Sequence, residues 1–427
     1  MKESQTQKPS AVRKFYHLEY FYVLLKSLEK SSDKDQIFEI FKDLKQEYRL
    51  GESKYRKLTS DSQNLSERQI QKYRYTFEKV ISESLEYDLI NHDGGKYQLT
   101  DKGRSLMESY NQGFQTYTRS LCVLMEEKYN AFRYIIDRLY KSSRENPGLL
   151  ILPLYSPLQL GFDKSEIKTT KDIKRYAERL AKKLEQDLST FLKESRSLAL
   201  ENNKLLASLV EEGLISADDS SEFSQNKYIA IIAKFRDFWR KFFLQEIYLY
   251  EYYYTSFEIW TYRAKQIGII HSTEFYPHFN GKIVYPTSVI VRNTDSKDFK
   301  KIYTYKDGYS LYIHEPEPDI EANENLFIDY LVNAYFDLRR TNRSYFISLP
   351  ALRELVCYKL KISEYVFKQF LDSVYLKNLT GNLKIKISLE VDRLPEETKA
   401  MYLKQEPVMV DGRYRNIIAI DVSRGGI

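Results

Sequence analysis

Residues 66–103 read SERQIQKYRYTFEKVISESLEYDLINHDGGKYQLTDKG, and the changes of pattern within them decide the fold. Ser66-Glu67-Arg68-Gln69 is a capping box, in which the Ser66 hydroxyl and the Gln69 amide each satisfy a backbone donor at the start of a helix. Ile70, Tyr73, Phe77, Val80, Ile81 and Leu85 then recur every three or four residues, which predicts one buried stripe. The outer stripe is Arg68, Lys72, Tyr75 and Lys79, with Arg74 beside it. Beyond the helix, Asp88-Leu89-Ile90-Asn91 and Lys96-Tyr97-Gln98-Leu99 flank Asp93-Gly94-Gly95 and predict a short hairpin. Thr100-Asp101-Lys102-Gly103 caps a further helix through Leu106 and Met107.

Upstream, Leu18, Phe21, Tyr22, Leu25 and Leu28 predict one amphipathic helix, and Ile37, Phe38, Phe41, Leu44 and Tyr48 a second, stopped by Gly51. A polar link from Glu52 to Leu65 leads back to Ser66, so residues 12–112 read as one domain. Its helices and hairpin, with Leu89-Ile90, Gly94-Gly95-Lys96-Tyr97 and Leu99-Thr100-Asp101-Lys102-Gly103 in that order, resemble the winged-helix domains of DNA-binding proteins. The resemblance implies that the helix starting at Ser66 reads or grips DNA and that Lys96, with Lys102 after it, touches the sugar-phosphate backbone.

Residues 113–215 read as a helical hairpin or bundle, with Ile173, Ala177, Leu180, Leu184, Leu188, Phe191 and Leu192 along one side. Ser216 to Gln225, acidic and nearly free of large apolar residues, reads as a linker and a domain boundary. Residues 227–314 combine an aromatic helix with hairpin turns at Asn280-Gly281 and Asp307-Gly308, an arrangement open to a further helix-plus-wing unit. Glu315 to Asn325 is expected as a loop before a helix over 326–338. Within 326–427, Ser348 and Ser363 open two helices at helix-turn-helix spacing, and Leu383 to Val391 with Tyr414 to Val422 supply a long wing. The expected class is mainly α with small β-hairpins, an α+β chain with winged-helix domains at both ends of a helical middle.

The 427 residues are 42% hydrophobic and 30% charged, enough for several cores. Aromatics reach 15%, and burial accounts for them more simply than base stacking. Cys122 and Cys357 alone make neither a disulfide framework nor a thiolate metal cluster, which fits a reducing cytoplasm. Met1-Lys2-Glu3-Ser4 has no apolar run behind it, and the stretch around Gly148 to Tyr155 is too short to span a bilayer, so export and membrane insertion are not expected. Lys and Arg number 66 against 60 acids, an excess of +6 that admits an anionic partner without demanding one.

The sharpest chemical feature is the cationic stripe, to which Lys54, Arg56 and Lys57 in the preceding link add charge. Such a stripe either contacts phosphates and guanine edges or is a solvated helix face, diluted by Glu67, Glu78 and Glu83. Five histidines, His17, His92, His271, His278 and His314, show no zinc spacing, and no cofactor or metal is expected. Glu390, Asp392 and Lys399, or Asp319, Glu321 and Glu324, are carboxylate sets of the kind a Mg²⁺ nuclease uses, without a recognisable strand order. No phosphate-cradling glycine loop or nucleophile elbow occurs.

The leading expectation is a non-catalytic DNA-binding and assembly subunit of a multi-protein complex. Its partners would be double-stranded DNA and an ATPase or nuclease subunit; the resemblance implies a bacterial restriction or anti-phage setting. One alternative is a scaffold similar to the kleisin-like subunits of bacterial chromosome-condensing complexes, gripping an ATPase through the aromatic segment 227–262 and the C-terminal unit. The other is a metal-dependent nuclease using Asp392 or Glu390.

Overall fold

The computed structural model describes residues 15, 17–47, 66–140, 148–153, 155–163, 166–273, 281–314, 319–391 and 407–422. They form a mixed α/β structure of many helices and small antiparallel sheets. The chain divides into two compact units, one holding Met1–Gly148, Thr255–Ser272 and Tyr285–Ile427, the other Leu149–Tyr254 and Thr273–Val284.

The first unit begins with α1 (Glu19–Leu28), α2 (Lys34–Glu47) and α3 (Glu67–Glu86). α1 is buried along Tyr20–Leu25, because neighbours cover it on several sides. The capping box of α3 forms as the sequence predicts: Ser66 accepts from the Gln69 amide and the Gln69 side chain accepts from the Ser66 amide. Tyr73, Phe77, Val80 and Ile81 point inward, Phe77 against Phe38 and Phe41.

β1 (Ile90–Asp93) and β2 (Lys96–Leu99) pair from Ile90↔Leu99 to Asp93↔Lys96 across Gly94 and Gly95, whose φ values of +56° and +79° are the left-handed pair that a two-residue hairpin requires. Thr100 then caps α4 (Asp101–Gln112) by accepting from the Gly103 amide at 3.0 Å. A Cβ at Gly103 would stand 2.1 Å from the Leu89 carbonyl oxygen, so only glycine lets α4 pack this closely on the hairpin's root. α5 (Phe114–Lys128) and α6 (Asn130–Tyr140) follow. The buried Tyr117 hydroxyl fastens α5 to α1, donating to the Leu18 carbonyl at 2.6 Å and accepting from the Tyr22 amide at 3.1 Å.

The second unit departs from the expected all-helical middle. The apolar run after Gly148 forms β3 (Leu150–Pro153), paired antiparallel from Leu150↔Val284 to Pro153↔Gly281, because four consecutive buried residues suit a covered strand. α7 (Thr170–Asp187) carries the expected stripe on Ile173, Ala177, Leu180 and Leu184, and a π turn at Leu188–Leu192 ends it. α8 (Ala199–Glu211) and α9 (Gln225–Phe242) complete its helices. Residues 216–225, expected as a boundary, lie inside this unit: Thr170 donates to Ser221, Phe223 to Lys168, and Lys171 to Asp219 through their backbones. The expected long aromatic helix is also broken, by a π turn at Phe243–Ile247 and by Leu249 at φ +56°.

α10 (Tyr254–Ile267) from Thr255 on and the start of β4 (Ile270–Thr273) belong to the first unit, and β5 (Gly281–Pro286) begins in the second unit and ends in the first. The turn expected at Asn280-Gly281 falls partly outside the described residues. The expected 227–314 segment is shared between both units, so it makes no separate body. In the first unit β6 (Val289–Arg292), β7 (Lys300–Thr304) and β8 (Ser310–His314) form a sheet in the order β6-β8-β7, with the predicted turn at Asp307-Gly308. α11 (Ile320–Asn342) starts earlier than expected because Asp319 caps it, accepting from the Ala322 amide at 2.9 Å.

β9 (Ile347–Ser348), α12 (Leu349–Leu360), α13 (Glu364–Leu379) and β10 (Ile385–Glu390) follow, then the small pair β11 (Val408–Val410) and β12 (Arg413–Arg415), and β13 (Ile417–Val422). Ser348 and Ser363 cap the two helices as predicted. β13 lies between β10 and β9, with Ile385, Ile387 and Leu389 of β10 buried and alternate residues exposed.

Within the first unit, α3 and α10 are joined by a buried pair. Arg263 donates to both Glu83 carboxylate oxygens, at 2.6 and 3.0 Å, and each side chain is about 1% exposed. The Tyr87 hydroxyl donates to Glu83, and Arg263 reaches the Phe15 carbonyl while its guanidinium covers the Phe15 ring. Arg263→Ala leaves Glu83 buried and unpaired and is expected to destabilise by about 3–5 kcal/mol. A joint Glu83→Gln, Arg263→Met variant is expected to lose less; urea unfolding of both checks this order.

Candidate nucleic-acid interface

α3 shows its outer stripe to solvent. Arg68, Gln71, Lys72 and Tyr75 are exposed and, with Thr76, line a shallow depression. The Tyr75 ring is 47% exposed and the half-buried Lys79 ammonium sits 5.3 Å from its centroid, so cation and ring form one patch. Arg68, Lys72 and Lys79 form no ion pair with a described residue, which leaves their charge available to an external anion. Lys96 is exposed directly after the Gly94-Gly95 turn, and Lys102 is exposed in the first turn of α4.

Arg74 stands apart from the other predicted contacts. Its guanidinium lies over the Phe38 ring at 4.4 Å and pairs with Asp35 at 3.2 Å, drawn to α2 by an acid and an aromatic that the helix spacing did not reveal. Lys34 and Glu78 pair alongside at 2.9 Å, so Glu78 faces a cation of α2 and does not dilute the stripe. Lys54, Arg56 and Lys57 lie outside the described residues.

The carboxylate sets expected for nuclease chemistry are engaged otherwise in part, exposed in part at Glu321 and Glu390, and in part outside the described residues. Asp319 caps α11, and Glu324 pairs with Lys377 at 2.8 Å and accepts from Ser373 at 3.0 Å. Glu390 ends β10 on its exposed side, while Asp392, Lys399 and His278 fall outside the described residues. Burial pushes the Cys122 thiol up to about 12 and raises Cys357 as well, which removes thiolate character from both.

A second constellation escaped the sequence. α10, β4, α12 and α13 bring Lys265, His271, Arg353, Glu354 and Glu364 together inside the first unit. Lys265 Nζ lies 2.7 Å from Glu364 and 3.6 Å from Glu354; Arg353 lies 3.0 Å from Glu354 and 3.3 Å from Glu364. His271 Nε2 is 3.1 Å from the remaining Glu354 oxygen, with His271 about 1% exposed. No periodicity joins residues so far apart in sequence. The one local hint is Arg353-Glu354 inside the apolar helix ALRELVCYKL.

His271, Glu354 and Glu364 offer ligand atoms within 4.8 Å of one another. Two carboxylates already face two cations there, so the cluster is charge-balanced by protein alone and reads as a structural network. Burial raises the cost of ionising Glu364, yet Arg353 and Lys265 outweigh it and hold its carboxyl at about 2. Glu354 is held well below its usual value in the same way, burial being outweighed by Lys265 and His271. Burial lowers His271 from 6.5, outweighing the nearby Glu354.

The direction for His271 gives a pH dependence. Below about 6.5 the unfolded chain takes up a proton at this imidazole while the folded chain does not, so stability declines as pH falls through that range. Glu354 and Glu364 add a further decline only below their ordinary value of 4.5. Urea midpoints between these two pH values are expected to fall for the wild type and to change less for His271→Gln. Scanned against protein-family models, curated proteins and solved structures, the chain matches none, so its interface is argued from its own residues.

Proposed function

We propose that this chain engages double-stranded DNA through α3 and ties it to a larger DNA-acting complex, without itself catalysing a reaction. One observation carries the reading: a stripe of Arg68, Lys72, Tyr75 and Lys79, whose cations pair with no described acid, on the open side of a helix whose opposite side is locked in the core. A helix of this kind fits the major groove, where lysines neutralise phosphates and an arginine reaches guanine edges. The order of three helices, a tight hairpin with Lys96 after its turn and a fourth helix supports a winged-helix reading of the N-terminal part, in which the hairpin contacts backbone. At the C-terminal end, α12, α13 and the β10–β13 pair support a second helix-turn-helix with a wing.

The C-terminal end also favours a protein partner, and a second reading as a scaffold. α13 leaves Tyr365, Leu376 and Leu379 more than half exposed, at 57%, 56% and 58%. Apolar side chains grouped on one helix face suit a protein surface better than a polyanion. Of segment 227–262, for which an ATPase grip is expected, Phe235, Trp239, Phe242, Phe243, Tyr248, Tyr250 and Trp260 are buried in the cores, while Ile229, Leu249 and Tyr253 are exposed at 59%, 68% and 67%. The partner proposed for the α13 face is an ATPase or nuclease subunit that supplies the chemistry.

Duplex binding measured at several salt concentrations tests the leading reading. Changing Arg68, Lys72 and Lys79 to Ala is expected to weaken binding and to flatten the log–log salt slope by about 0.9 for each phosphate that is no longer neutralised. Coincident curves for variant and wild type would overturn it.

A further inference from the structure

The last turn of α11 builds a second cationic concavity, far along the chain from α3. Arg339, Arg340, Arg343, Ser344 and Tyr345 line it, together with Phe336. Arg340 is 78% exposed at its side chain and pairs with Asp337 at 2.7 Å, but Asp337 is shared with Lys359 at 3.2 Å. Arg343 makes no ion pair with a described residue, and the Arg339 guanidinium lies over the Tyr345 ring at 5.1 Å. Tyr345 is 44% exposed and the neighbouring Phe346 43%, their rings set edge to face.

The bland account is that arginines in a final helical turn complement the negative end of the helix dipole. One or two would serve that purpose. It leaves unexplained three arginines within five residues, of which Arg340 alone pairs with a described acid, Asp337, itself shared with Lys359, and two exposed aromatic residues beside them. Cations that track phosphates next to rings on which bases stack are the combination that recognises unpaired nucleic acid, whereas a duplex keeps its base faces covered.

We infer that the concavity at the end of α11 binds a single-stranded nucleic acid segment, with Arg339, Arg340 and Arg343 on its phosphates and Tyr345 stacked on a base. The site is independent of the duplex contact proposed for α3, so the two can fail separately. The test is fluorescence anisotropy of a labelled oligo-dT about 20 nucleotides long with the full chain, in parallel with a labelled duplex. The wild type is expected to bind oligo-dT with a salt slope of about −0.7 per neutralised phosphate. Arg339→Ala with Arg343→Ala is expected to weaken oligo-dT binding at least about tenfold and flatten that slope, and Tyr345→Ala at least about fivefold, with Tyr345→Phe close to wild type.

Duplex binding by these variants is expected to stay unchanged, and the Arg68, Lys72, Lys79 triple variant is expected to keep oligo-dT binding. Should the double variant melt early, Arg343→Gln alone replaces it, since that side chain pairs with no described residue. Absence of oligo-dT binding by the wild type, retention of full affinity by the arginine variants, or equal effects of Tyr345→Ala and Tyr345→Phe would overturn the assignment.

Discussion

The bidentate pair between Glu83 and Arg263 is the constraint on which the first unit turns. The two residues are 180 positions apart in sequence, and neither reaches solvent. Removing both charges from water costs several kcal/mol, which the two terminal nitrogens of Arg263 and both Glu83 oxygens offset through their hydrogen bonds, while Arg263 Nε stays buried without a partner among the described residues. Two parallel hydrogen bonds, the Tyr87 hydroxyl, the Phe15 carbonyl and the flanking Phe15 and Trp260 rings surround the charges. An apolar pair would tolerate sliding; a fork of two hydrogen bonds admits one register. Glu83 belongs to α3, so the helix bearing the cationic stripe is held from its inner side and cannot turn that stripe into the core.

Much of the local structure was legible because it rests on neighbours in sequence. The Ser66–Gln69 box, the Gly94-Gly95 turn, the Thr100 cap and the Ser348 and Ser363 caps are interactions over a few residues, and each formed where its residue types stood. Periodicity likewise identified the inner face of α3. What escaped was long-range. β3 needed a partner about 130 residues away to become a strand, and the buried cluster around Glu354 draws on four elements. Arg74 shows the same limit within the proposed interface: helix spacing placed it beside the stripe, but Asp35 and Phe38 of another helix decide where its guanidinium goes.

The charges divide into those the protein answers internally and those it leaves open. Glu83, Glu354, Glu364 and Glu324 each face a cation, and burial keeps the thiols neutral. Among the described residues Arg68, Lys72 and Lys79 on α3 and Arg343 at the end of α11 have no such counterparts, which concentrates a modest net charge of +6 into local patches. Patches of this kind act on a polyanion at short range, and their effect declines steeply with salt.

Site-specific photocrosslinking tests the central claim most directly. With Tyr75→p-benzoylphenylalanine on the outer face of α3, irradiation in the presence of duplex DNA is expected to give a protein–DNA adduct. The same replacement at Tyr253, which is 67% exposed but lies in the second unit, is expected to give none. An adduct at Tyr253 and not at Tyr75 would contradict the account.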